Sequence, residues 1–109
     1  MIGDNRKFTI MDKKHFALKL LPKRPTFPHD ITPEEREIMS QHAAYWRDFM
    51  DKGMVIVFGP VMDPKGVYGM GVVEVDDEEQ VRTFIANDPA SQINTYEYHP
   101  MRAVTKSRD

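Results

Sequence analysis

His42 and Asp88 are the side chains of this sequence whose types and placement could move a proton. An imidazole changes charge near neutral pH. A carboxylate bonded to one ring nitrogen fixes the tautomer and leaves the other nitrogen free as general base or acid. His42 lies on an otherwise apolar helical face with Ile38, Tyr45, Trp46 and Phe49, the five falling at i, i+4, i+7, i+8 and i+11 from Ile38. Such a histidine is, by spacing alone, more often a satisfied core group than a proton carrier. Asp88, in Asp88-Pro89-Ala90-Ser91, reads first as the N-cap of a short helical turn. Both readings stay open at this level.

Other residues point to a cavity beside the pair. Gly69 and Gly71 fall on one face of an extended segment and leave a trough there, unless they accommodate sheet twist or the close approach of an aromatic ring. Gly59-Pro60 ends the adjacent segment. Phe27, Tyr45 and Trp46 are the candidate apolar walls, with Phe27 and His29 placed to form a lid. His15, His29, His42 and His99 include no pair at short ligand spacing, so no metal is expected. No Gly-rich loop joins a strand to a helix, and no cofactor is expected.

The elements that must position these residues follow from punctuation and periodicity. His15 to Leu21 alternates as a strand, and Pro22, Pro25 and Pro28 then mark a loop. Thr32-Pro33-Glu34-Glu35 carries an N-cap, a proline at the first helical position and a capping-box glutamate, so a helix is expected from Thr32 to Lys52, ended by Gly53. Met54 to Val61 is an almost unbroken apolar run, read as a strand buried on both faces. Asp63-Pro64-Lys65-Gly66 turns it back into a partner strand, Val67 to Val75. Asp76 or Asp77 caps a second helix with Val81, Phe84 and Ile85 inward, and its acidic first turn is a helix start rather than a metal site. The helix stops before Asp88-Pro89, and Thr95 to Val104 reads as a last strand.

The order βαββαβ closes into a four-stranded antiparallel sheet with both helices on one face, the ferredoxin-like α+β arrangement. Two helices cover one face only. The other would expose Tyr68, Met70 and Val72, and exposed apolar patches of that kind mark an interface, so a homodimer through the open sheet face is expected.

The 109 residues suit one domain, read as an extension at 1–13 and a domain over 14–109. With 40% hydrophobic and 29% charged residues the chain is ordinary for a globular protein, and no apolar run approaches a membrane span. No signal-like stretch follows the first charges, which makes the cytoplasm the default expectation. There is no cysteine, which excludes disulfides and thiolate chemistry. Fifteen basic against seventeen acidic residues give a net charge of −2, a poor match to nucleic acid. The same topology serves RNA-recognition domains, but Lys65-Gly66-Val67-Tyr68-Gly69-Met70 lacks their repeated stacking aromatics.

The opening strand, His42 on the first helix, Gly59-Pro60 followed by a turn and Gly66, and Asn87-Asp88-Pro89 before the last strand together resemble the YCII-related (YciI-like) family across about residues 14 to 104. The resemblance implies a dimeric α+β barrel fold and a site built on a histidine and an aspartate, which fall on His42 and Asp88. It implies cofactor-independent chemistry, elimination included. The chain departs from the compact family pattern in its N-terminal extension and its proline-rich loop, Pro22 to Asp30. The expected function is a lyase or isomerase type enzyme that moves a proton on a small cyclic or aromatic substrate. The alternative is a non-catalytic dimeric module that binds a small metabolite or supports a partner.

Overall fold

The computed structural model describes residues 13–106. The expected extension at 1–13, with its Phe8 to Met11 patch, therefore falls almost wholly outside the described residues. The elements run β1 (Lys14–Pro22), α1 (Pro33–Asp51), β2 (Val55–Val61), β3 (Tyr68–Val75), α2 (Glu78–Asn87), a 3-10 turn (Pro89–Gln92) and β4 (Asn94–Met101). The sheet has four strands in the order β2-β3-β1-β4, with antiparallel neighbours throughout. This is the ferredoxin-like βαββαβ architecture.

Local chemistry sets the element boundaries. Thr32 Oγ1 accepts from Glu35 N at 3.1 Å while Glu35 Oε1 accepts from Thr32 N at 3.0 Å, the reciprocal capping box that starts α1. Gly53, at φ +90°, ends that helix in a conformation other residues adopt at a cost. Asp77 caps α2 by accepting from Gln80 N at 3.0 Å. Between β2 and β3, Asp63 holds the turn twice, through its carbonyl to Gly66 N and its carboxylate to Lys65 N, both at 2.9 Å.

Strand alternation decides what the helices cover. Phe16, Leu18, Val55, Val73 and Val75 point to the helical side and pack with Trp46, Val81 and Phe84 into the core. The pairs Ala17↔Val72 and Lys19↔Met70 fall on the opposite, uncovered face. Here the reading of Met54 to Val61 as buried on both faces is corrected: Val57 is 55% exposed. The cause is a register irregularity between Val55 and Val57, which lets Val55 face the core while Val57 pairs with Val72 on the open face. An edge strand with helices on one side buries one face, however apolar its sequence.

Gly71 has a packing duty. A Cβ built on it would lie well inside van der Waals contact of the Trp46 indole, 2.7 Å from Cη2. The sheet thus opens a seat for the ring instead of an empty trough. Gly71→Ala is expected to lower stability by about 1–3 kcal/mol, because Trp46 must tilt out of a filled core. A urea midpoint shifted down at unchanged slope would record it; an unshifted midpoint would show that the indole has room elsewhere.

Candidate functional site

α1 carries His42 and Trp46 one turn apart on its inner face, with ring centroids 5.9 Å apart. Asp88 sits where α2 ends and the 3-10 turn begins, with an extended backbone at φ −73° and ψ 126° as the following proline requires. β4 then brings Tyr96 back along the same side of the sheet, its ring stacked 6.5 Å from Trp46. Three elements distant in sequence therefore meet at one carboxylate.

The Asp88 side chain is fully buried and saturated with donors. His42 Nδ1 lies 3.0 Å from both Oδ1 and Oδ2. Trp46 Nε1 donates to Oδ2 at 2.7 Å, the Tyr96 hydroxyl donates to the same oxygen, and Ala90 N donates to Oδ1 at 2.9 Å. Burial alone would push the Asp88 carboxyl up, but the hydrogen bonds from His42 and Tyr96 outweigh it and hold it below its ordinary value. The group is an ionised carboxylate inside the protein. Asp88 caps the turn with Oδ1 and also lies within hydrogen-bond distance of the His42 ring, since a carboxylate has acceptor capacity for both.

The neighbours respond to that charge. Burial and the adjacent carboxylate raise the Tyr96 hydroxyl well above the usual phenol range, so it stays protonated and donates. Burial, with the negative Asp88 nearby, pushes Tyr45 up to about 12. An ionised acceptor at Nδ1 favours the neutral tautomer with its proton on Nδ1, which leaves Nε2 as a lone-pair acceptor. Among the described residues Nε2 makes no hydrogen bond.

His42 borders a cavity of about 270 Å³. Its walls are apolar and aromatic, from Leu18 and Leu20 on β1, Phe58 to Pro60 on β2, Val67 to Gly71 on and beside β3, and Phe27 with Pro28 and Ile31 on the long loop. The sequence-expected residues Phe27, Trp46, Gly59, Pro60, Gly69 and Gly71 all line it. Phe27 is buried at 7% exposure, and Arg24 anchors its loop. That guanidinium lies 5.4 Å from the Phe27 ring, binds both Glu35 oxygens at 2.8 Å, and reaches Asp30 at 2.9 Å. With Arg24 and the Thr32 backbone as donors, Glu35 is held down to about 2.

Two expectations are corrected. Tyr45 does not line this cavity: one residue before Trp46, it is turned away around the helix, stacks on Phe84 at 5.0 Å and donates to the Phe84 carbonyl at 2.8 Å. His29 is exposed and takes no part in the lining, so the loop covers the cavity through Phe27 and Pro28. Tyr96 and Asn94 were not foreseen as lining residues, nor Tyr96 and Trp46 as donors to Asp88. The alternation of Asn94, Tyr96 and Tyr98 along the last strand was the available signal for one shared face.

The YCII-related domain matches residues 16–105. The chain belongs to the YCII-related family. Within this YCII-related domain the match spans every element of the fold from β1 to β4. A comparison with curated proteins found no match. Among solved structures, the chain is similar to SnoaB, a cofactor-independent oxygenase from Streptomyces nogalater, at 12% identity and a TM-score of 0.46, covering 90% of this chain and 99% of that one. It is similar to an asparagine-to-alanine variant of SnoaB at 13% identity and a TM-score of 0.47, with the same coverage. No helix of the described residues is long and apolar enough to cross a membrane.

Proposed function

We propose that this YCII-related protein is a cofactor-independent enzyme of lyase or isomerase type that moves a proton on a small cyclic or aromatic substrate. One observation carries the reading: a buried, ionised Asp88 holds His42 by Nδ1 while the same ring borders an apolar cavity. His42 Nε2 takes the proton from an acidic C–H or O–H of the bound ring, and the bonding pair stays on the substrate. The imidazolium that forms is paired with Asp88 at 3.0 Å. Returning the proton at another atom completes an isomerisation, and expelling a leaving group with the electron pair completes an elimination. Trp46 and Tyr96 keep the carboxylate in place through the cycle.

Compounds that bind the cavity are the material for the test, read by mass in heavy water. The expected outcome is protein-dependent exchange or elimination at one acidic position of at least one such compound. Binding without either reaction in every compound that binds contradicts the reading and supports the non-catalytic binding module.

The open sheet face supports a homodimer as the working form. Val57, Met70 and Met101 are 55%, 44% and 42% exposed on that face, Val57 and Met70 on the neighbouring strands β2 and β3, and exposed apolar side chains of this kind mark an interface. Sedimentation at micromolar concentration is expected to give twice the chain mass, and a glutamate at Val57 to return it to the chain mass. A wild-type protein that sediments at the chain mass contradicts this arrangement.

A further inference from the structure

We infer that Asn94 is a ligand-reading residue, and that the cavity selects an uncharged flat ligand presenting two hydrogen-bond donors, one to His42 and one to Asn94. The inference rests on the proposed tautomer of His42. Asn94 opens β4 and borders the cavity at 8% exposure. Its Nδ2 donates to the Ala90 carbonyl at 3.1 Å and lies 3.6 Å from Met39 Sδ. That bond fixes which way the amide faces, because a flip would set Oδ1 against the Ala90 carbonyl oxygen.

Oδ1 is left as an acceptor with no protein donor among the described residues. It is not sealed inside the protein either, since the one sealed side-chain polar atom without a hydrogen bond among them is His15 Nε2. On this inference, that opening is at the cavity that Asn94 lines. The other polar groups in the walls are spoken for: Trp46 Nε1 and the Tyr96 hydroxyl both donate to Asp88. Tyr68 also borders the cavity, but its ring stands on the uncovered sheet face under Lys19 Nζ at 4.5 Å.

The charge balance of the walls sets the second half of the selection. Among the described residues no lysine or arginine lines the cavity, and Asp88 is a buried negative charge behind His42. A carboxylate or phosphate entering there would lose its water and meet no cation beyond a histidine already paired, which is costly. A neutral ring with two O–H or N–H groups satisfies both acceptors instead. A ring with one donor leaves Asn94 Oδ1 without a partner.

The test is a binding series read by calorimetry, with phenol, anisole, benzoate and the three benzenediols as probes. In wild-type protein at least one benzenediol is expected to bind about tenfold tighter than phenol, the upper range for one net hydrogen bond. Anisole is expected to bind more weakly than phenol, and benzoate to show no measurable binding. Asn94→Leu is expected to bring the best benzenediol to within about twofold of phenol while phenol binding is retained. Benzoate binding as tightly as phenol, or no benzenediol tighter than phenol in wild type, overturns the inference without any variant having to fold. An unchanged benzenediol advantage in Asn94→Leu overturns the assignment to Asn94. These contrasts are equilibrium measurements, so they can fail while His42-dependent exchange in heavy water succeeds, and the reverse.

Discussion

His42→Ala is expected to lower turnover by roughly 10²–10⁴, the usual worth of a positioned general acid or base. The fold should survive the change. The His42 side chain is 15% exposed, and its loss leaves the fully buried Asp88 with three other donors, from Trp46, Tyr96 and Ala90. The carboxylate remains hydrogen-bonded, so the variant avoids the full penalty of a stranded buried charge. Thermal unfolding and turnover measured on one preparation separate the two effects. A melting temperature within a few degrees of wild type, with turnover reduced as stated, is the expected pair. Unchanged turnover would remove His42 from the mechanism.

Asp88→Asn is expected to cost more, because it strikes stability and chemistry together. An amide has one acceptor oxygen where the carboxylate has two, and its NH₂ group must face donors from Trp46, Tyr96, Ala90 or His42. Buried donors then confront a donor, and a loss of about 2–4 kcal/mol in unfolding free energy follows. Turnover is expected to fall by roughly 10³–10⁴, because an amide N–H at His42 Nδ1 favours the wrong tautomer. The pH dependence has a definite sign. The Asp88 pKa is lowered in the folded protein, so its contribution to stability is present above the ordinary carboxylate range near 3.9. That contribution is lost as pH falls through that range toward the folded value. Unfolding free energy between about pH 5 and pH 2 should therefore fall more steeply in wild type than in Asp88→Asn. Parallel curves would show that Asp88 is not the buried, ionised group described here.

How much of this was legible in the residues depends on the range of the interactions involved. The start of α1 was legible, because Thr32, Pro33 and Glu35 settle it among themselves. The Asp63 to Gly66 turn and the Asp77 cap were legible for the same reason. The strand faces of β1 and β3 followed from alternation. β2 was misread because an apolar run does not report which side a neighbour covers, and its register irregularity depends on pairing with β3. Tyr45 was misplaced because adjacent helical residues point about 100° apart, and only the position of Phe84 decides which one enters the core.

At the site, the element order offered Asp88 as a partner for His42, and the family resemblance favoured the pair over the packed histidine that spacing alone suggested. The convergence of Trp46 and Tyr96 on Asp88 was not legible. It depends on side chains 42 and 8 residues away from Asp88 meeting in space. Gly71 shows the same limit. Its type announced a close approach, but the approaching group, Trp46, is named only by the packing.

The claim that decides the rest is that an ionised Asp88 fixes the His42 proton on Nδ1 and leaves Nε2 as the base. Long-range proton–nitrogen NMR of the His42 ring, recorded where the imidazole is neutral, measures this directly. The expected spectrum has a protonated Nδ1 and an unprotonated Nε2 in wild type, with the preference lost in Asp88→Asn. A wild-type ring with its proton on Nε2, or one that exchanges evenly between the two nitrogens, would contradict the dyad.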